Sequence, residues 1–167
     1  IINVNLTDAI NVYNNPEWNN WAITEQINTT SAIFKYSNGS PSAIRAVLSY
    51  SARMVDNGTG YASSATMCPS DVLRFNSLSS INRYITLYGL VPGKTYDLSF
   101  FASRAFFGTK TIVAIGTRKD TIDTDYNTTD YAKFNSVTSE ANGTLRIGLT
   151  HTGTWQYIAG FSIKENV

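Results

Sequence analysis

The chain has 167 residues, of which 15% are charged and 13% are aromatic, with 13 basic and 12 acidic side chains. This balance, without a run of Lys or Arg, excludes the phosphate-attracting surface that nucleic acids and anionic membranes require, so neither is an expected partner. The lone cysteine, Cys68, excludes an internal disulfide and a cysteine metal cluster. A neutral surface rich in Asn, Ser and Thr suits a neutral polar ligand.

Short stretches of alternating β-branched and aromatic residues recur along the chain, and no long helical pattern does. The predicted strands are AIFKY (32–36), IRAVLSY (44–50), RYITLYGL (83–90), TYDLSFFASR (95–104), KTIVAIGT (110–117), YAKFNSV (131–137), GTLRIGLT (143–150) and YIAGFSIKE (157–165). Asn-Gly and Pro-Gly turns separate several of them, and segments 56–80 and 117–130 are predicted to be irregular. We therefore predict an all-β antiparallel β-sandwich and a single domain spanning residues 1–167.

The first aromatic segment, NNPEWNNW, carries two tryptophans three residues apart. Pro16 suits the first position of a short turn, and Asn15 before it is a suitable cap. A spacing of three places side chains on opposite faces of a strand but on one side of a helical turn. We predict that Trp21 enters a strand and the core, and that Trp18 faces a ligand or packs on the protein.

The strand at 95–104 has the clearest alternation, with Tyr96, Leu98 and Phe100 on one face. The Pro-Gly turn at 92–93 precedes Tyr96 by a spacing typical of a tyrosine corner, in which the ring folds back on the preceding turn. We predict that this face is core and that Tyr96 stabilises the turn.

Sugar binding is the chemistry that the composition favours, because a pyranose stacks on an aromatic ring and offers hydroxyls to planar polar groups. Three segments combine these residue types: 13–21, 104–108 and 151–157. The predicted carbohydrate-binding residues are Trp18, Asn19, Asn20, Arg104, Trp155, Gln156 and Tyr157.

Some of these residues have an equally good structural explanation. Arg104 ends a predicted strand, where it either binds hydroxyls or a uronic carboxylate or forms an ion pair or carbonyl cap. Trp155 and Tyr157 share one face of an extended segment, which suits a stacking platform and a core position alike.

Catalytic signals are sparse. A serine–histidine–acid triad would have to use His151, the one histidine, and no G-x-S-x-G motif accompanies it. Paired glycosidase carboxylates need to lie roughly 5 to 10 Å apart across a cleft, and no pattern here predicts such a pair. We predict that the chain is not an enzyme.

Five segments together resemble a galactose-binding-like jelly-roll accessory module of secreted polysaccharide-active proteins from Bacteroidetes-type bacteria. They are INVNL (2–6), PEWNNW (16–21), CPSDVLRF (68–75), ITLYGLVPGKTYDLSFFASR (85–104) and GTLRIGLTHTGTWQYIAGFSIKE (143–165). The resemblance implies a jelly-roll fold, a secreted or cell-surface location, and a role as a carbohydrate-binding module tethered to a catalytic domain. It also implies that the chain is excised from a larger secreted protein.

Calcium is the one cofactor to consider. The run DTIDTDYNTTD holds Asp120, Asp123 and Asp125 at the close spacing that oxygen-ligated calcium favours, although it lacks the Gly and Glu of an EF-hand loop. A solvated turn explains the same residues. Modules of the resembled family often carry a structural calcium near the chain ends, where Asp8 is the matching position.

The function predicted from these observations is non-catalytic binding of a polysaccharide or oligosaccharide. The first alternative is a structural or adhesive β-sandwich whose aromatic residues are simply core. The second is a small esterase or glycosidase.

Overall fold

The computed structural model describes residues 1–167, which form fourteen strands and one 3₁₀ turn. The strands are β1 (Ile2–Thr7), β2 (Trp18–Ala22), β3 (Ile27–Thr30), β4 (Arg45–Tyr50), β5 (Arg53–Asp56), β6 (Phe75–Ser79), β7 (Arg83–Tyr88), β8 (Thr95–Phe101), β9 (Lys110–Ile115), β10 (Arg118–Asp123), β11 (Ala132–Thr138), β12 (Leu145–Thr152), β13 (Gln156–Ile158) and β14 (Gly160–Glu165), with the 3₁₀ turn at Ser70–Leu73. The prediction of an all-β chain is confirmed. None of the helical residues forms a segment that could span a membrane.

Two large sheets form the body of the fold. One has the strand order β11-β8-β14-β1-β2 and the other β10-β9-β12-β7-β4-β3. Pairing is antiparallel except between β1 and β2, and the terminal strands β1 and β14 are neighbours, with Ile2 opposite Ile163. The chain crosses from one large sheet to the other between β2 and β3, β7 and β8, β8 and β9, β10 and β11, and β11 and β12. Such alternation between two packed antiparallel sheets makes a jelly-roll sandwich, as predicted.

A third, smaller sheet has the order β13-β6-β5. It exists because the predicted strand 157–165 divides at Ala159 into β13 and β14, which join different sheets. The amide of Ala159 donates to the carbonyl oxygen of Phe101, and its own carbonyl accepts from Leu6. The division matters for function because β13 carries the end of the aromatic segment 151–157.

The structure departs from the predicted strands at several places, and the short strands β3 and β5 were not predicted. Segment 32–36 forms only an isolated bridge between Lys35 and Pro41. Conversely, the segments expected to be irregular contain β6 and β10. β6 is polar in sequence yet fully buried, and β10 is an edge strand whose Ile122 is its one buried residue, so neither shows the apolar alternation on which the prediction relied.

The core between the two large sheets is aromatic at its centre. Trp21 is 2% exposed and meets the rings of Phe34 and Phe161 edge-on, with centroids 6.4 and 6.3 Å away. Edge-to-face geometry brings the positive rim of one ring to the negative face of another. The prediction that Trp21 is a core residue is confirmed.

The tyrosine corner is also present. The Tyr96 ring is 1% exposed, and its hydroxyl accepts a hydrogen bond of 2.9 Å from the amide of Val91, in the turn before β8. This bond satisfies an amide that the tight turn leaves without a strand partner. The predicted role of Tyr96 is confirmed.

Removing only the hydroxyl tests that role. We expect Tyr96→Phe to lower the free energy of unfolding by about 1 to 2 kcal/mol, because the Val91 amide loses its acceptor. Urea denaturation followed by tryptophan fluorescence measures the loss. The matched control is Tyr84→Phe, whose ring is 40% exposed and whose hydroxyl makes no intramolecular hydrogen bond. Equal losses in the two variants would contradict the assignment.

Candidate functional site

A cavity of about 160 Å³ brings two of the three predicted ligand segments together. Its lining residues are Arg53, Val55, Leu78, Arg104, Phe106, Trp155 and Tyr157. Of two other surface cavities, the one of about 260 Å³ is lined by Tyr13 and Asn14 from a single predicted segment, and the one of about 420 Å³ by no residue of the three segments. The small cavity is therefore the candidate site. Its volume is below the roughly 300 to 1,000 Å³ of pockets for drug-sized ligands and suits one unit of a chain.

The floor of the cavity is one face of the three-stranded sheet. Register pairs Arg53 with Leu78 and Leu78 with Tyr157, so these side chains stand in a row across β5, β6 and β13. Val55 lies two residues after Arg53, and Trp155 two residues before Tyr157, which places them on the same face. Val55, Leu78 and Tyr157 are buried in the main core, with Tyr157 only 4% exposed, so Tyr157, predicted as a ligand contact, is mainly a core residue. The more accessible groups of the floor are Arg53 and Trp155.

Loop 104–108 forms the wall and is held rigidly. The carbonyl of Arg104 accepts hydrogen bonds from the amides of Phe106 and Tyr126. The carboxylate of Asp125 accepts from the amides of residues 108 and 109, at 3.0 and 3.1 Å. The loop therefore presents Phe106, whose ring is 55% exposed, from a fixed backbone.

Arg104 reaches from this wall toward the floor. Its Nη1 donates to the Oδ1 of Asn57 at 2.8 Å and to the carbonyl of Asp56 at 3.3 Å. Its guanidinium carbon lies 5.9 Å from the centroid of the Tyr157 ring, at the outer limit of a cation–π contact. Nε and Nη2 make no hydrogen bond within the protein. The two explanations considered for Arg104 are therefore compatible, because one edge of the group is tied to the protein and the other is free.

Asn57 is a positioning residue that the sequence did not reveal. Its amide nitrogen donates to the carbonyls of Leu73 and Ser103, both at 2.8 Å, and its oxygen accepts from Arg104 and from the amide of Ala105 at 3.0 Å. The motif DNGTG predicts only a turn there. Nothing local indicates that this side chain reaches segments so distant along the chain.

The two aromatic loops touch at Gly153. Its φ is +79°, and a Cβ built there would lie 2.3 Å from the carbonyl oxygen of Gly108. Only glycine accommodates both the left-handed backbone and this approach. Contact at this point holds segment 151–157 against segment 104–108.

Trp18 lies elsewhere, and its environment is that of a packing residue. It stands in β2, so its spacing from Trp21 places the two rings on opposite faces. The ring is half-buried against a small outer cluster that contains Phe101, and its centroid is 6.1 Å from the Tyr13 ring. The predicted turn precedes it, with the Asn15 side chain accepting from the amide of Glu17.

Asn19 and Asn20 do not line the cavity either. Asn19 donates to the carbonyls of Asn3 and Lys35, both at 2.9 Å, and accepts from the Lys35 amide. Asn20 exchanges hydrogen bonds with the backbone of Tyr13. Both side chains are thus committed to holding neighbouring segments on the edge strand β2.

Gln156 is fully buried, which does not fit its prediction as a ligand contact. Its Oε1 accepts from the Nε of Arg83 at 2.8 Å, and its Nε2 donates to the carbonyls of Ile81 and Leu149 at 2.9 and 3.1 Å. Because β13 is extended, Gln156 points to the opposite face from Trp155 and Tyr157. The polar atoms predicted to face a sugar bind the protein instead, so we leave Gln156 out of the site.

The acidic residues considered for calcium are engaged by backbone amides. Asp120 accepts from the amides of Thr121 and Lys133, and the Asp123 carboxylate accepts from the amide of Asp125. Asp8 similarly accepts from residues 10 and 11, as in an Asx turn. No group of three or more His, Cys, Asp or Glu residues is arranged to hold a metal ion.

The groups considered for catalysis contact only the protein backbone or apolar side chains. The two ring nitrogens of His151 lie 2.9 Å from the carbonyl oxygen of Gly153 and 3.0 Å from that of Ser80. Cys68 packs against the small outer cluster, and burial raises the pKa of its thiol to about 12. The thiol is therefore protonated at neutral pH, which makes it a poor nucleophile.

No model of a known protein family matches the chain, and no curated protein matches its sequence. Solved structures with a similar fold include Bacteroides uniformis β-glucuronidase 2 in a calcium-binding mutant (TM-score 0.53, 8% identity) and Bacteroides uniformis β-glucuronidase (TM-score 0.51, 9% identity). Each alignment covers 72% of this chain and 14% of the enzyme. Another neighbour is TmCBM61 in complex with β-1,4-galactotriose, at a TM-score of 0.42 and 13% identity over 74% of this chain and 83% of that one.

At such low identity, the likeness to the two β-glucuronidases establishes the fold alone. The chain spans about one-seventh of the length of those enzymes, so the matched region is a small part of each.

Proposed function

We propose that the chain is a non-catalytic carbohydrate-binding module that holds an attached enzyme near its polysaccharide. The observation that carries the proposal is the convergence of Trp155, Phe106 and Arg104 on one cavity, from loops predicted separately. Aromatic rings beside a partly free arginine are the groups that a pyranose needs, since its C–H face stacks on a ring and its hydroxyls accept from guanidinium.

The energetics favour a site with more than one ring. Covering about 50 Å² of one ring contributes roughly 1 to 1.5 kcal/mol, which alone gives weak binding. Trp155 is half-buried and packs against the main core, so it loses little freedom when a ligand stacks on it. The backbone that carries Phe106 is held by the hydrogen bonds of its loop. Two rings and an arginine that line the same cavity supply useful affinity.

Tethering explains why modest affinity suffices. A module linked to a catalytic domain raises the local concentration of that domain at the polymer, by an amount that depends on the linker. The expected partners are therefore a polysaccharide or oligosaccharide and a tethered catalytic domain, and the expected location is secreted or on the cell surface.

Two neighbouring phenylalanines provide a matched test. We expect Phe106→Ala to weaken binding about tenfold, because a stacking contact of roughly 1.4 kcal/mol is lost. Phe107→Ala should bind like the parent chain, since Phe107 is 71% exposed, does not line the cavity and packs on Tyr126, with ring centroids 4.8 Å apart. Affinity gel electrophoresis against pectic, xylan, β-glucan and algal glycans selects the ligand, and calorimetry measures the dissociation constants.

A second pair of variants addresses the tryptophans. Trp155→Ala should weaken binding of the selected glycan, whereas Trp18→Phe should not, because Trp18 contacts the small outer cluster rather than the cavity. Equal effects of Phe106→Ala and Phe107→Ala, or loss of binding only in the Trp18 variant, would place the ligand elsewhere and contradict the proposal.

The exposed Phe107 and Tyr126 rings support an adhesive role as the second candidate. They are 71% and 50% exposed and form a small apolar patch beside the cavity. Aromatic residues of this kind are enriched at protein interfaces. If none of the glycans binds, the structural or adhesive function replaces carbohydrate binding.

A further inference from the structure

We infer that the site selects an anionic saccharide, one whose carboxylate or sulfate group is bound by Arg53 and Arg104 while its ring stacks on Trp155 and Phe106. The inference rests on the proposed carbohydrate-binding function and adds the chemical class of the ligand.

The first support is the charge of the cavity. Two arginines line it and no aspartate or glutamate does. The carboxylates on neighbouring segments are already engaged: Asp56 pairs with Arg74 at 2.9 Å, and a side-chain hydrogen bond from that arginine holds the pKa of Asp56 below its ordinary value. Asp125 binds the amides of residues 108 and 109. Neither Arg53 nor Arg104 forms an ion pair, so both guanidinium groups lack a carboxylate partner within the protein.

The second support is the free hydrogen-bonding capacity of both guanidinium groups. Arg53 is exposed, and its side chain makes no hydrogen bond or ion pair within the protein. Arg104 uses only Nη1, so the edge formed by Nε and Nη2 is available. A planar guanidinium edge binds a carboxylate or sulfate through two parallel hydrogen bonds, which a single hydroxyl cannot match.

The third support is the placement of these groups. Arg53 stands on the floor in register with Leu78 and Tyr157, and Arg104 projects from the wall over Tyr157. The anchoring of Arg104 by Asn57 reduces the entropy lost when an anion binds. An anionic substituent between the two arginines therefore lies next to the rings that stack on the sugar.

The test compares ligands that differ in charge. Calorimetry at fixed ionic strength measures the dissociation constants of a short oligogalacturonide, its fully methyl-esterified counterpart and a sulfated galacto-oligosaccharide of equal length. We expect an anionic ligand to bind about tenfold more tightly than the esterified one, with the advantage falling as salt is raised. The stronger of the two anionic ligands identifies the group as carboxylate or sulfate.

Substitutions assign the preference to the site. Arg53→Gln should bring the dissociation constant of the esterified ligand, divided by that of the anionic ligand, close to one. Arg104→Lys should lower this ratio only in part, because lysine keeps the charge but loses the planar edge. The control is Arg146→Gln, whose arginine stacks on Tyr84 beside the cavity of about 420 Å³. Loss of the preference in the Arg146 variant would overturn the inference.

The failures of the two proposals are distinguishable. Equal or tighter binding of the esterified ligand, still lost in Phe106→Ala, would leave carbohydrate binding intact and overturn the preference for an anion. If no ligand binds, here or in the glycan panel, both proposals fail.

Discussion

Replacing Arg83 with methionine is expected to lower the free energy of unfolding by about 3 kcal/mol or more, a large share of the stability of a chain of this size. The side chain is 1% exposed and has no carboxylate partner. Methionine keeps much of the volume but supplies none of the donors. The loss therefore reports the polar contacts of Arg83 rather than a cavity.

The contacts of Arg83 connect several strands. Nε donates to Gln156 at 2.8 Å, Nη1 donates to the carbonyl of Tyr50 and the hydroxyl of Ser77, and Nη2 donates to the carbonyl of Ser77 at 2.7 Å. One guanidinium thereby joins β7 to β4, β6 and β13. Each buried acceptor left without a donor costs about 1 to 3 kcal/mol, which outweighs the relief of removing a buried charge.

Denaturant titrations of three variants measure this effect. Arg83→Met and Arg83→Lys should both unfold at clearly lower urea concentration, because an ammonium group cannot span the same acceptors. Burial lowers the pKa of Arg83 to about 9, so the group is still charged at neutral pH and the comparison is made there. The control Arg118→Met, from an exposed strand residue, should lose less than about 1 kcal/mol. A stability for Arg83→Met equal to that of the control would refute the assigned role.

The second large effect is expected from Gly153→Ala, which should both destabilise the chain and weaken ligand binding. A Cβ at this position meets the Gly108 carbonyl at 2.3 Å, and because that atom is backbone the two loops have to separate. We expect a loss of about 3 kcal/mol in stability, from the left-handed φ and the clash together. We also expect weaker binding, because Trp155 and Phe106 stand on the two loops that are displaced.

The variant Gly93→Ala separates the cost of the left-handed backbone from the cost of the clash. Its φ of +75° is nearly that of Gly153, yet a Cβ there has no atom within 4 Å. This control should lose only about 1 kcal/mol and bind ligand normally, since only the backbone preference of glycine is affected. Urea titration and calorimetry with the selected glycan measure both properties. If Gly153→Ala behaves like Gly93→Ala, loop contact at Gly153 does not organise the site.

Local sequence patterns predicted the structure correctly where the stabilising contacts join residues that are close in sequence. The Tyr96 corner is an example, since its hydroxyl binds an amide five residues away. The same holds for the Asn15 turn. The strands β7, β8, β9 and β12 were recognisable because one face of each contacts the core and the apolar alternation is therefore regular.

The features of the fold and of the site that were not predicted depend on contacts between segments that are distant in sequence. The direction of Gln156 is set by the third sheet, whose strand β6 is too polar to be recognised. Asn57 binds residues 16 and more positions away, which no local motif indicates. Trp155 and Arg104 were selected by residue type, and only the fold shows that their loops meet while the loop before Trp18 does not.

The pairing of β1 with β14 determines how the fold bears mechanical load. Because Ile2 lies opposite Ile163 in an antiparallel pair, both ends of the chain leave from the same end of the sheet. A pulling force applied through the two ends therefore breaks the hydrogen bonds between these strands one after another, instead of loading all of them at once. Tension entering at one end and leaving at the other would peel the terminal strands apart at low force. A chain anchored at one end alone carries no such tension through β1 and β14.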